Sequence, residues 1–108
     1  MVKVPATPEG ITAIRRLIGE GINVNVTLVF SLDTYQQVQK AYIAGLEDLD
    51  RNGGDTSRVA SVASFFISRL DTAVDALLDE RIRQRATTAG NAASLRRLLG
   101  KAAVANAR

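Results

Sequence analysis

Lys3 stands in the stretch VKVPAT, residues 2–7, flanked by Val2 and Val4 and followed by Pro5. Valines favour a strand, and burying an unpartnered ammonium is costly. A lysine at this place is therefore either a guard on an edge strand or a group set into a pocket for its chemistry. Proline cannot donate to a sheet ladder, so Pro5 belongs at a strand end, an edge or a bulge. The chemistry open to such a lysine is attack on a carbonyl to form a Schiff base. At the ordinary pKa of about 10.4, roughly one lysine in two thousand is neutral at pH 7. An apolar setting beside Val2 and Val4 would disfavour the ammonium and lower that pKa. The iminium made with a ketone is an electron sink and permits cleavage of the neighbouring carbon–carbon bond.

Four further residues share this reading. Asn25 and Thr27 alternate with valines in INVNVTLVF, residues 22–30; Ser64 lies in VASVASFFI, residues 59–67; Arg69 follows at a helix start. A buried parallel strand is near-continuously apolar, so polar side chains at alternate positions mark a lined pocket or the inside of a barrel. Lys3, Thr27 and Ser64 fall near the C-terminal ends of their strands, where (β/α)8 barrels carry their catalytic groups. Arg69 suits a phosphate, by charge, by paired hydrogen bonds and by the nearby helix N–H groups. The plain alternatives are an edge lysine, satisfied polar groups at Asn25 and Thr27, and a surface arginine. Ser64 alone says little.

The elements that position these residues follow from punctuation and period. Met1 to Ala6 reads as a strand. Thr7 is a helix N-cap, with Pro8 at the first helical position and Glu9 in the first turn. Ile11, Ile14, Leu17 and Ile18 make one apolar stripe, and Gly19 and Gly21 end the helix. In the second strand, Ile22, Val24, Val26, Leu28 and Phe30 are expected on one face, with Asn23, Asn25, Thr27 and Val29 on the other. Ser31 or Asp33 caps the next helix, whose stripe is Tyr35, Val38, Tyr42 and Leu46. The loop RNGGDTS, residues 51–57, precedes a third strand over 59–67. Helical pattern resumes with Leu70, Val74, Leu77, Leu78 and Ile82. ATTAGNAAS, residues 86–94, is a softer patch before LRRLL, and KAAVANAR, residues 101–108, is helix sequence. Strand and helix alternate, so the strands are parallel with helical crossovers. Three strands cannot close such a sheet or hide its edges. The chain is therefore expected to be a piece of a larger α/β protein.

Composition narrows the chemistry. The sequence has 108 residues, 46% hydrophobic and 23% charged, and contains neither histidine nor cysteine. Thiolate chemistry and the commonest general base are thereby excluded. The net charge of +3, from 14 basic and 11 acidic residues, is too small and dispersed to point to nucleic acid. Lysine is used only at Lys3, Lys40 and Lys101. No apolar run is long enough for a membrane span, no signal-peptide pattern appears, and the absence of cysteine fits a cytoplasmic setting. Gly53 and Gly54 precede a strand, which argues against a nucleotide loop. Glu47, Asp48, Asp50 and Asp55 lack the EF-hand spacing and read as a solvated helix end.

Together these residues resemble the transaldolase family. VKVPAT is similar to the family's Schiff-base strand, GINVNVTLVFS (21–31) to the next strand, and VASVASFFISRLD (59–71) to the one after. KAAVANAR resembles the helix leading onward in longer members. The resemblance covers essentially all 108 residues and is strongest to bacterial long forms, some fused to glucose-6-phosphate isomerase. It implies that Lys3 is the Schiff-base lysine, with Asn25 and Thr27 beside it and the threonine positioning a water. It also implies that Ser64 lines the site and that Arg69 binds substrate phosphate. Two departures are Phe65, where some relatives have proline, and Ser68, where they have glycine.

The fold implied is α/β, a partial (β/α)8 TIM barrel of about three β/α units. These would be strands 4–6 of a single barrel domain, with residues 1–108 as a central fragment. The activity implied is transfer of a dihydroxyacetone unit between sugar phosphates in the pentose phosphate pathway. The substrates would be sedoheptulose 7-phosphate, fructose 6-phosphate, glyceraldehyde 3-phosphate and erythrose 4-phosphate, without metal or organic cofactor, nucleic acid or membrane. The family's acid–base residues, an aspartate on the first strand and a glutamate on the third, have no counterpart here, so the fragment alone is expected to be inactive. The alternative is a non-catalytic half-barrel module that self-associates or pairs with another chain through exposed strand edges. A different Schiff-base aldolase is a third option, disfavoured by the asparagine–threonine strand.

Overall fold

The computed structural model describes residues 1–84 and 89–108. They form two compact units, Met1–Phe65 and Phe66–Arg108. The first holds β1 (Val2–Pro5), α1 (Pro8–Gly19), β2 (Val24–Val29), α2 (Leu32–Arg51), a 3₁₀ turn (Thr56–Arg58) and β3 (Val62–Phe65). The second holds α3 (Ser68–Gln84), α4 (Ala89–Arg96) and α5 (Ala102–Ala107).

Helix starts fall where side chains satisfy the first N–H groups. The Gly10 N–H donates to Thr7 Oγ1 at 3.1 Å, and Pro8 occupies a first-turn position that needs no donor. Of the two capping candidates before α2, Ser31 is the cap: its Oγ accepts from the Thr34 N–H at 3.2 Å. Asp33 sits in the first turn, where its charge suits the helix dipole. Helix α1 ends in a left-handed Gly21, φ 75°. The Gly21 N–H donates to the Ile18 carbonyl and the Ile22 N–H to the Leu17 carbonyl, both at 2.9 Å, the paired bonds that close a helix end.

The three strands pair in parallel in the order β1-β2-β3. Val4, Val24, Val26 and Val29 meet Ile14 and Ile18 of α1 and Val38 and Ala41 of α2 in one buried cluster. Tyr35, Tyr42, Leu46, Ile11 and Leu17 pack half-buried around it. One face of β1 and β2 is thus covered by the two crossover helices. Fully burying a valine or isoleucine contributes about 1.5–3 kcal/mol, which makes this cluster the main stabilising feature of the first unit.

Two strand expectations need correction. The simple alternation of residues 22–30 fails after Thr27. Leu28 takes a left-handed φ of 59°, and the β2–β3 register slips between Val26 and Val29. Val29 is therefore fully buried in the core, while Leu28 and Phe30 are exposed. The third strand is also shorter than 59–67. Before Val62 the backbone bonds go to side chains: the Ala60 N–H donates to Asn23 Oδ1 at 2.7 Å, and the Val24 N–H to Ser61 Oγ at 2.8 Å.

In the second unit Ile82 and Ala103 are buried. Leu77, expected in the apolar stripe of α3, is 62% exposed. The soft patch at 86–94 lies partly outside the described residues; Asn91 to Ser94 belong to α4. Helix α5 has no side-chain cap of its own. One carboxylate of α3 replaces it: Asp71 Oδ1 accepts from the Ala103 N–H at 2.8 Å, while Asp75 accepts from the Gly100 N–H at 2.9 Å in the turn before α5.

On the outer side of α1 and α2, Asp48 joins two arginines. Arg15 Nε lies 2.7 Å from Oδ2 and its Nη2 3.2 Å from Oδ1, while Arg51 Nη1 lies 2.9 Å from Oδ1. The hydrogen bond from Arg15 holds the Asp48 carboxyl below the usual carboxylate range, and Asp48 in turn raises the pKa of Arg15. Two of the four acidic residues read as a solvated helix end are engaged in hydrogen bonds. Asp48 is paired with arginines, Asp55 caps the 3₁₀ turn through the Ser57 N–H, and no metal-holding group occurs among the described residues.

Two outcomes are expected. A Cβ at Gly10 would fall on the Pro5 carbonyl oxygen at the end of β1. Gly10→Ala gains up to about 1 kcal/mol of helix propensity but overpacks by about 1–3 kcal/mol, so urea unfolding should show a net loss. For Asp48, the folded pKa lies below the unfolded value of about 3.9, so its contribution is present above that pH and is lost as pH falls through the depressed value. Asp48→Asn should flatten the acid limb of stability below about pH 4, measured as the urea midpoint against pH; superimposable acid limbs would show that the pair contributes nothing.

Candidate active site

Strand pairing decides which side chains share a face. Lys3 pairs with Asn25 and Asn25 with Val62; Pro5 pairs with Thr27 in the next row. Side chains in register on parallel strands project to the same side. Lys3, Asn25, Thr27 and Ser64 therefore stand together on the face that α1 and α2 leave open. The opposite face carries Val4, Val24 and Val26, all buried.

Lys3 is exposed, Asn25 and Thr27 are half-buried, and Ser64 is exposed. Ser64 Oγ donates to Asn25 Oδ1 over a long 3.4 Å. The Thr27 carbonyl accepts from the Ala6 N–H at 2.9 Å, which ties the C-terminal ends of β1 and β2 together. No carboxylate pairs with Lys3 among the described residues. The apolar enclosure expected from Val2 and Val4 is not formed, because strand alternation turns both valines to the other side of the sheet. Any enclosure of the Lys3 amine has to come from elsewhere.

Arg69 belongs to the second unit, in the first turn of α3. Its guanidinium carbon lies 5.2 Å from the centroid of the Phe66 ring, a cation–π contact, and the residue is exposed. The sheet thus brings four of the five expected site residues together, and Arg69 stands in the other unit. Asn23, expected on the polar side of the second strand, lies just before β2 and accepts from the Ala60 N–H, a structural bond. Leu28 escapes the sequence reading altogether, since leucine carries no signal for a left-handed backbone.

An amine, an amide and two hydroxyls on one open face can take a polyhydroxylated carbonyl compound: the amine for the carbonyl carbon, the others for its hydroxyls. None of these four is a carboxylic acid, so proton transfer during carbon–carbon cleavage is not supplied by them. No helix of the described residues is long and apolar enough to cross a membrane.

The chain is similar to known proteins over its whole length. Over 108 residues the chain is 49% identical to the transaldolase of Trichodesmium erythraeum, covering all of this chain and 28% of that protein. It is 51% identical over its whole length to the transaldolases of Saccharopolyspora erythraea and Thermobifida fusca, covering 26% and 27% of them. The chain spans about a quarter of the length of these relatives. The sequence model of the transaldolase/fructose-6-phosphate aldolase family matches residues 1–107. With that match over nearly every residue, and with three parallel strands carrying a lysine, an asparagine and a threonine on one face, the chain belongs to the transaldolase/fructose-6-phosphate aldolase family.

Proposed function

We propose that the chain carries the Schiff-base centre of a transaldolase. The observation that supports this best is the register of β1 on β2, which sets Lys3 beside Asn25 and one row from Thr27 on an open face. The neutral Lys3 amine adds to the ketone carbon of a ketose phosphate, and loss of water gives the iminium. Cleavage of the carbon–carbon bond β to the iminium carbon sends its electron pair into that iminium and releases an aldose phosphate. The enamine left on Lys3 then adds to the aldehyde of a second aldose phosphate, and hydrolysis frees the amine. Asn25 and Ser64 hold substrate hydroxyls, Thr27 orients the water, and Arg69 binds the phosphate by paired hydrogen bonds. The dihydroxyacetone unit moves between sugar phosphates of the kind named above, in the pentose phosphate pathway and the cytoplasm.

In this reading β1, β2 and β3 are the fourth, fifth and sixth strands of one (β/α)8 barrel domain. The carboxylates for proton transfer come from other strands of that barrel, so the 108-residue chain alone does not turn over. A second reading draws on the sheet order: β1 and β3 are both edges, and paired edges would join this chain to another copy.

Borohydride reduction in the presence of fructose 6-phosphate, followed by peptide mapping, tests the nucleophile. The expected result is a dihydroxyacetone adduct on Lys3, absent from Lys40 and Lys101 and abolished in Lys3→Arg. An adduct spread over all three lysines would refute the assignment. Full turnover by the isolated chain would refute the dependence on other strands, and sedimentation as a dimer would favour edge pairing.

A further inference from the structure

Leu28 breaks the pattern of the strand that carries Asn25 and Thr27. It is the one non-glycine residue with positive φ among the described residues, at 59°. Val26 pairs with Ala63 and Val29 with Phe65, so β2 uses one more residue than β3 over the same stretch. This is a bulge in a parallel pair, a device that re-aims side chains and occurs often beside active sites. Leucine has no side-chain hydrogen bond to favour the left-handed region, so the surrounding structure imposes the conformation.

The effect falls on the open face. Without the bulge, alternation would place Val29 on that face directly after Thr27 and send Leu28 into the core. With it, Val29 is 0% exposed, packed in the same cluster as Ile14 and Ile18, and Leu28 is 45% exposed. Val29, the last residue of β2, then faces the core, and only Leu28 stands exposed in the strand beyond Thr27. The Thr27 carbonyl stays bonded to the Ala6 N–H, which fixes the backbone just after the Thr27 side chain. We infer that Leu28 is a positioning residue: its left-handed backbone withdraws Val29 from the open face and holds the Thr27 hydroxyl at the C-terminal rim. The inference rests on the role proposed for Thr27 but can fail separately from it.

The chain has no cysteine, so single-cysteine variants report each position without background. Maleimide labelling of Leu28→Cys and Val29→Cys should differ by about tenfold or more in rate, with residue 28 fast and residue 29 protected. Val24→Cys, at a fully buried site, is the control for global opening. In a Leu28→Gly background, residue 29 should stay protected, because glycine accepts positive φ. In a Leu28→Val background, it should label about tenfold faster while residue 24 stays protected, because a β-branched residue resists this conformation. Equal rates at positions 28 and 29 would overturn the face swap, and so would a residue 29 that stays fully protected in the Leu28→Val background. In borohydride trapping, Leu28→Val should slow adduct formation at Lys3 about tenfold and add nothing to the loss in Thr27→Val; additive losses would overturn the positioning role. Absence of any Lys3 adduct in the parent chain counts against the proposed function, and the labelling pattern then decides this inference alone.

Discussion

Parallel pairing of β1 with β2 in a single register governs the rest of this structure. It places Val4 and Val26 on one side and Lys3 and Asn25 on the other. A slip by one residue would exchange the two sets and drive a lysine and an asparagine against Ile14 and Ile18. Burial of the valines thus specifies where the polar residues stand. The stability of the helix-covered face and the chemistry of the open face are consequences of the same hydrogen bonds.

Electrostatics plays a smaller part. The Arg15–Asp48–Arg51 group links α1 to α2 with good geometry, yet the arginines are more than half exposed, at 55% and 71%. Ion pairs so open to water contribute little beside a buried aliphatic cluster. The group sits on the outer side of the helices, away from Lys3.

Much of the architecture is legible because it rests on local signals. Thr7–Pro8 and Ser31 are capping signatures, and each starts the helix it announces. The valine–asparagine alternation of β2 places Asn25 opposite the core, and the family resemblance names the residues that the sheet gathers on the open face. What escapes depends on tertiary pairing. The slip at Leu28 arises where β2 meets β3, and nothing in the order of residues 22–30 marks it. The beginning of β3 is overextended in the sequence reading because Asn23 and Ser61 take over backbone partners that a strand would use. The valines flanking Lys3 do not surround its amine, since neighbours along a strand face away from each other.

The capping of α5 by α3 bears on the order in which the second unit opens. A helix of six residues, Ala102–Ala107, is far too short to persist by itself in water. Its Ala103 N–H is held by Asp71 of α3 and the turn leading into it, at Gly100, by Asp75; these carboxylates are spaced one helical turn apart only while α3 is wound. The last helix is therefore a dependent of the earlier one. Its amides lose their protection whenever α3 unwinds around Asp71 and Asp75, and α3 can outlast α5 while α5 cannot outlast α3.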